Sequence, residues 1–147
     1  MNSIVIPNKQ EVVDARALIE PYIHNTPVLS SSSINEIYDV ELYLKCENFQ
    51  KMGAFKMRGA AHAILKLSDE ARAKGVITHS SGNFAQALSL AAKSLGVKAT
   101  IVMPTSAPRI KKTAVLGYGA TVIDCEPTLQ AREKAAEKDE ISAPNNE

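Results

Sequence analysis

The sequence predicts an α/β fold in which a parallel β-sheet is covered by flanking helices. From residue 75 onward, short runs of β-branched and apolar residues alternate with alanine- and leucine-rich segments of helical length. Strands that are apolar along their whole length are typical of parallel sheets, because helices cover both faces of such sheets. A chain of 147 residues with 45% apolar residues is also large enough to bury a core of its own.

The first half of the chain has a less regular pattern, with two predicted helices and one predicted strand. Asn8 can cap a helix over residues 10–22, although Pro21 weakens its last turn. Residues 40–45 alternate between apolar and polar side chains, which predicts a strand. The second helix is predicted over residues 57–67, directly after a loop that contains a glycine.

The second half carries three predicted strands that alternate with three predicted helices. The strands cover residues 76–79, 99–103 and 121–125, and the helices cover residues 84–95, 108–118 and 128–138. Gly96 ends the first of these helices, and Thr128 caps the last one. Residues 139–147 are polar, contain a proline and offer no fourth strand. Because a three-stranded parallel sheet leaves exposed edges, we expect the chain to be cut short.

Composition argues against several classes of function. The net charge is +1, and no basic stripe interleaved with aromatic residues is present, so no nucleic-acid partner is expected. No apolar run reaches about 18 residues and the N-terminus does not resemble a signal peptide, so we expect a cytoplasmic protein without a membrane partner. Cys46 and Cys125 are expected to be reduced thiols. Together with the three histidines they lack metal-ligand spacing, so no metal site is predicted.

Lys56 is the first candidate functional residue. It lies between a turn at Gly53 and the start of a helix, with Phe55 before it and Arg58 after it. A helix start disfavours a cation, because the helix macrodipole is positive there. A neutral amine is a nucleophile that can form a Schiff base with a carbonyl cofactor. Composition alone leaves open the alternative of an ordinary surface lysine.

The loop Ser80-Ser81-Gly82-Asn83 is the second candidate. It follows the strand predicted at residues 76–79 and precedes a helix, and ligands of open α/β sheets bind beyond the carboxyl ends of the strands. Its hydroxyl, amide and helix-start N–H groups can face an anionic ligand. Helix capping alone would need only one of these residues, so we favour a ligand-binding role over a capping role.

Together, the two segments resemble a known family of enzymes. Residues 48–60 (NFQKMGAFKMRGA) and residues 79–83 (HSSGN), followed by Gln86-Ala87, are similar to serine racemases and biodegradative threonine/serine dehydratases. These are pyridoxal-phosphate enzymes of fold type II, with a tryptophan synthase β-like fold. The resemblance extends from Asn25 through Pro127. It implies that residues 1–74 are the N-terminal segment of the large cofactor domain and that residues 75–147 form a small α/β domain, incomplete at its C-terminus.

The resemblance also implies a role for each candidate residue. Lys56 would form the Schiff base with the cofactor aldehyde and would later take the substrate Cα proton. Ser81 would face the opposite side of the substrate Cα, which makes it the second catalytic residue. Phe55 would lie against the cofactor ring, and Asn83 would hydrogen-bond the cofactor's phenolic oxygen. The substrate carboxylate would be bound by Ser80, Ser81, Gly82 and Asn83.

The implied reaction is the dehydration of serine or threonine to an α-keto acid and ammonia. Serine racemization stays open as an alternative, because the same Lys56 and Ser81 serve both reactions. A fragment that is inactive on its own stays open as well, because the family's glycine-rich phosphate loop and its cation-binding acidic residues have no match here. We therefore expect weakened pyridoxal-phosphate binding, with a divalent cation and a homodimer only in a full-length form. A Rossmann-type nucleotide site is disfavoured, since no strand is followed by Gly-x-Gly-x-x-Gly.

Three positions depart from the family pattern. Met52 and Ala54 stand where a threonine and a serine are usual, and Phe84 stands where a histidine is usual. These departures weaken the assignment of the substrate more than the assignment of the cofactor. Without a hydroxyl at position 52, no ATP site is predicted.

Overall fold

A three-stranded parallel sheet organises the second half of the chain in the computed structural model, which describes residues 6–142. The helices are α1 (Lys9–Ile19), α2 (Ser32–Tyr38), α3 (Lys56–Leu65), α4 (Asp69–Lys74), α5 (Asn83–Leu95), α6 (Arg109–Gly117) and α7 (Leu129–Ser142). The strands are β1 (Val28–Leu29), β2 (Leu44–Lys45), β3 (Val76–His79), β4 (Ala99–Pro104) and β5 (Thr121–Cys125).

The parallel sheet has the strand order β3-β4-β5, and each neighbouring pair is parallel. Ile77 lies opposite Thr100, and Ile101 lies opposite Val122. The central strand β4 is buried almost throughout, as expected for a strand covered on both faces. Helices α5, α6 and α7 pack on the sheet. The predicted α/β class, with a parallel sheet and flanking helices, is therefore confirmed.

Close packing between α3 and α5 joins the first half of the chain to the second. Small buried side chains allow the two helices to approach each other; they are Ala60 and Ala61 on α3 and Ala85, Ala91 and Ala92 on α5. The same core includes Ile19 of α1, Ile101 of β4 and Val115 of α6. A domain boundary between residues 74 and 75 stays a prediction.

The strand predicted over residues 40–45 was wrong for most of its length. Only Leu44–Lys45 is a strand, and it pairs antiparallel with β1. Asn35 explains the difference, because its carbonyl accepts the N–H of Val40 and its side-chain oxygen accepts the N–H of Leu42, at 3.1 and 3.0 Å. These two bonds hold residues 40–42 against the end of α2 and remove them from strand pairing.

Two short helices were not predicted, although their end signals are present in the sequence. Ser31 caps α2, and Asp39 ends it with a left-handed backbone conformation. Ser68 caps α4, whose first turn is acidic and whose last turn is basic. Both helices have seven residues or fewer, which is too short for a clear apolar period.

The predicted helix ends hold to within a few residues, with two corrections. Asn8 caps α1 and forms a capping box with Glu11, but the helix ends at Ile19, and a 3-10 turn containing Pro21 covers Glu20–Tyr22. Proline suits the first positions of a new turn and cannot continue the helix hydrogen bonds. Helix α7 continues to Ser142, so the expectation that residues 139–142 lie outside a helix was wrong. Residues 143–147 lie outside the described residues.

Candidate active site

Lys56 is the first residue of α3, and its side chain is exposed. Its Nζ lies 4.9 Å from the centroid of the Phe55 ring, which is a favourable position for a cation above an aromatic face. Among residues 6–137, whose side chains the structure describes, no carboxylate lies within ion-pair distance of this amine. The amine is thus accessible to a ligand, as a nucleophile that reacts with a carbonyl must be.

The loop before Lys56 has an unusual backbone. It contains two short 3-10 turns, Glu47–Phe49 and Lys51–Gly53. Met52 and Gly53 both have positive φ angles, of 55° and 76°. Met52 carries a side chain in this region, which L residues seldom adopt, so contacts elsewhere must stabilise the loop.

Gly53→Ala is expected to lower the free energy of unfolding by roughly 1–2 kcal/mol, because alanine is strained at positive φ. An added Cβ would meet no atom within 4 Å, so the cost comes from the backbone and not from a clash. Gly59→Ala is the matched control, because that Cβ would also meet open space but lies inside α3. There alanine should stabilise by about 0.5–1 kcal/mol. Urea denaturation of both variants measures the difference, and equal effects of the two substitutions would contradict the strained geometry.

The loop Ser80-Ser81-Gly82 lies at the carboxyl end of β3 and leads into α5. The Ser80 N–H donates to the Val102 carbonyl at 3.1 Å, which continues the pairing with β4. The residue that caps α5 is Gly82, and no side chain forms a capping hydrogen bond there. The Ser80 hydroxyl accepts the Gly82 N–H at 3.4 Å instead. The N–H groups at the start of α5 therefore have no capping side chain, which is the arrangement that binds anions at helix starts.

The two candidate segments lie at the starts of two helices that pack against each other. Helix α3, which Lys56 begins, packs along α5, which Asn83 begins. The 3-10 turn Lys51–Gly53 also contacts α5. Phe55 and Asn83 are exposed, whereas Ser80, Ser81 and Gly82 are half-buried. Their individual roles towards a cofactor or substrate stay predictions.

A charged cluster next to the lysine loop was missed by the sequence analysis. Arg58 donates from Nε and Nη2 to the two carboxylate oxygens of Glu47, at 2.8 and 2.6 Å. The Thr26 hydroxyl also donates to Glu47, at 2.6 Å. Hydrogen bonding from Arg58 is the main reason that the pKa of Glu47 falls from 4.5 to about 2, and the same contact raises the pKa of Arg58. In the sequence, Arg58 is recognisable only as a neighbour of Lys56.

Gln50 ties the same loop to the chain before β1. Its side chain is only 3% exposed. Its oxygen accepts the N–H groups of His24 and Lys51 at 2.8 and 2.9 Å, and its amide nitrogen donates to the His24 carbonyl at 2.9 Å. A buried amide with these three bonds is well satisfied, so it holds the loop firmly. No periodic pattern in the sequence links Gln50 to His24, so their contact is visible only in the folded structure.

The residues present fit part of a pyridoxal-phosphate site. An accessible amine, an adjacent aromatic ring and helix-start donors suit an aldehyde, a ring and a carboxylate, respectively. A phosphate group needs several N–H donors, and glycine clusters commonly supply them. No two of the chain's seven glycines are adjacent in the sequence. The fit is therefore to the aldehyde end of the cofactor.

Comparison with known proteins gives the family to which this chain belongs. The sequence profile of the family described as "Pyridoxal-phosphate dependent enzyme" matches residues 19–146. The chain belongs to this family. The solved structures that resemble it are fold type II members, which confirms that part of the sequence-based resemblance.

Individual relatives show which enzymes of the family this chain is similar to. A serine racemase from Dictyostelium discoideum is 56% identical over 84% of this chain and 38% of its own length. An L-threo-3-hydroxyaspartate ammonia-lyase from Saccharomyces cerevisiae is 50% identical over 89% of this chain and 40% of its own length. The crystal structure of the Dictyostelium racemase has a TM-score of 0.85, with 90% of this chain and 43% of that chain covered. The chain thus spans about two fifths of the length of the relatives that it matches.

Two further properties concern the described part of the chain. None of the helices there is both long and apolar enough to cross a membrane. Among the same residues, no three histidine, cysteine, aspartate or glutamate side chains are grouped as a metal site would require. Cys46 and Cys125 are free thiols.

Proposed function

We propose that this chain is the lysine-bearing part of a pyridoxal-phosphate dependent dehydratase that acts on serine or threonine. The observation that carries the proposal is the accessible amine of Lys56 at the start of α3. Helix α3 packs against α5, and the start of α5 has no capping side chain. The names of the relatives support a shared substrate class, because serine and 3-hydroxyaspartate both carry a β-hydroxyl group.

Each candidate residue has a task in this proposal. Lys56 would hold the cofactor aldehyde through its amine, and its free amine would take the proton from the substrate Cα. Phe55 packs against the cofactor ring, and Asn83 hydrogen-bonds the phenolic oxygen. The substrate carboxylate is bound by the loop formed by Ser80, Ser81 and Gly82 and by Asn83, at the anion-binding start of α5. When bound, the cofactor supplies an electron sink for the carbanion at Cα. Loss of the β-hydroxyl and hydrolysis then release an α-keto acid and ammonia.

Serine racemization is the second candidate function. Ser81 supports it, because this hydroxyl in the loop after β3 would return a proton to the face of Cα opposite Lys56. The serine racemases of Dictyostelium discoideum and Arabidopsis thaliana, at 56% and 54% identity, also favour it. The product separates the two functions, since racemization leaves the hydroxyl in place.

The relatives contain a further segment that this chain does not match. We propose that full activity needs a polypeptide equivalent to that segment. The matched share is 38% of the Dictyostelium racemase. The cofactor phosphate carries roughly two negative charges, and several charge-assisted hydrogen bonds are needed to hold it. We expect this chain alone to bind the cofactor weakly and to turn over little substrate. The homodimer, the cytoplasmic location and a divalent cation in a full-length form stay predictions.

A chimera provides the test of the proposed function. This chain would replace the matching segment of the Dictyostelium racemase, and the chimera and the isolated chain would be assayed with cofactor and L-serine or L-threonine. We expect the chimera to form α-keto acid and the isolated chain to form little. D-serine without pyruvate would favour the racemase alternative. A folded chimera that makes neither product would contradict both functions.

A further inference from the structure

The Lys56 loop is bridged at its base by one charged pair. Glu47 begins the first 3-10 turn of the loop, and Arg58 lies in the first turn of α3, so the pair spans the segment that contains Lys56. Arg58 reaches both carboxylate oxygens in the two-pronged geometry that only a guanidinium supplies. The side chains are 29% and 18% exposed, so solvent screens the pair only in part. Such a bridge restrains direction as well as distance.

The loop inside this bridge needs an external restraint. Met52 and Gly53 have consecutive positive φ angles. This conformation is strained for a methionine and persists only where surrounding contacts stabilise it. Phe55, which precedes α3, forms no side-chain capping bond with the helix. The local chain therefore gives little reason for α3 to begin in one fixed direction. The bridge joins the two ends of the loop, and together with the Thr26 hydrogen bond to Glu47 it supplies that restraint.

The charges in the first turn of α3 lead to the same conclusion. Lys56 and Arg58 are both cations near the positive end of the helix macrodipole, and no acidic residue lies in that turn. Glu47 provides the missing anion from the loop and pairs with Arg58. Lys45 adds its own hydrogen bond to the Thr26 carbonyl at 2.6 Å, which ties β2 to the same point.

From these contacts we infer that Arg58 and Glu47 are positioning residues, whose two-pronged bridge fixes the direction of the first turn of α3 and so aims the Lys56 amine at the cofactor aldehyde. The inference rests on the proposed function, in which Lys56 is the cofactor lysine. It assigns Arg58 an effect on reactivity that is separate from its effect on stability.

Arg58→Lys is the decisive variant, because lysine keeps the positive charge but lacks the planar guanidinium that makes the two-pronged contact. The chain, with and without the substitution, would be treated with pyridoxal 5′-phosphate and borohydride, and the ratio of labelling at Lys56 to labelling at Lys66 would be read by mass spectrometry. Lys66 is exposed at the far end of α3 and serves as the internal reference. The ratio should fall by about 10-fold. This is less than the roughly 10²-fold that a 1 Å displacement of a reacting group can cost, because lysine still faces Glu47 with a positive charge.

Arg72→Lys is the matched control, because Arg72 pairs with Asp69 on α4, away from the loop. This control should leave the labelling ratio unchanged. Thermal unfolding is measured in parallel, since a purely structural role would lower the melting temperature and leave the ratio of the folded chain unchanged. If Arg58→Lys fails to fold, Thr26→Val decides, because it removes the hydroxyl that donates to Glu47 and accepts a longer hydrogen bond from Arg58 at 3.5 Å, and leaves the charged pair itself in place. That variant should lower the ratio by about 2- to 10-fold, the range expected for the loss of hydrogen bonds of ordinary strength.

The possible results separate this inference from the proposed function. Equal labelling of Lys56 and Lys66 in the unaltered chain would overturn the positioning role, whereas the proposed function is overturned only by the chimera assay. Preferred labelling of Lys56 that persists in folded Arg58→Lys, or in Thr26→Val where that variant decides, would overturn the positioning role alone. Preferred labelling that is lost in Arg58→Lys and kept in Arg72→Lys would support it.

Discussion

Replacing Lys56 by alanine is expected to abolish keto-acid formation by the chimera, with a loss of roughly 10³-fold or more. The substitution removes both the nucleophile that holds the aldehyde and the base that moves the Cα proton, and general base catalysis alone contributes roughly 10²- to 10⁴-fold. Lys56 is exposed, so its truncation should not disturb the core. Steady-state keto-acid assays and borohydride labelling measure the two losses separately.

Two further substitutions test whether the loss of activity is specific to the amine of Lys56. Lys56→Arg keeps the positive charge near Phe55 but cannot act as a nucleophile, because a guanidinium is not deprotonated in proteins. It should be as inactive as the alanine variant. Lys66→Ala removes an exposed amine at the other end of α3 and should retain activity. Substantial activity in Lys56→Ala would refute the assignment of the cofactor lysine.

Glu47→Gln is expected to lower the free energy of unfolding at pH 7, by about 3 kcal/mol at most. Glu47 has its pKa lowered from 4.5 to about 2 in the folded chain, mainly by Arg58, so folding favours its charged form. The stabilisation is fully present above pH 4.5 and is lost as the pH falls through about 2. Denaturant titrations of both proteins between pH 7 and pH 2 should show their stabilities converging within this window.

Asp69→Asn supplies the control for the pH dependence. Asp69 also pairs with an arginine, but its side chain is 94% exposed, so its loss should have little effect at any pH. A Glu47→Gln difference that stays constant from pH 7 to pH 2 would contradict the depressed pKa. A difference as small as that of Asp69→Asn would show that the bridge contributes little to stability.

The parts of the site that the sequence predicted are local in the chain. Lys56 and its neighbours lie within one short segment, and Ser80, Ser81, Gly82 and Asn83 are consecutive. Their position between a strand and a helix follows from hydrophobic patterns that extend over only a few residues on each side. The structure added that Gly82, and not a serine or Asn83, caps α5, which weakens the capping explanation for this loop.

Short elements were the main source of error in the predicted fold. Helices α2 and α4 and the paired strands β1 and β2 are too brief for an apolar period, and Asn35 rather than any pattern decides where β2 begins. The strands of the parallel sheet were predicted well, because each contains a run of β-branched and apolar residues. Only the central strand β4 is buried almost throughout, whereas β3 and β5 are partly exposed.

By itself, the sequence determined the α/β class, the parallel strands, the candidate lysine Lys56 and the polar loop that follows β3. The tertiary structure alone decided how the lysine loop is held: Glu47 meets Arg58 and Thr26, and Gln50 meets His24. The physical reason is that these partners are separated by an irregular loop with two successive positive φ angles. No periodic pattern describes such a backbone, so contacts across it depend on the folded path of the chain and not on residue spacing.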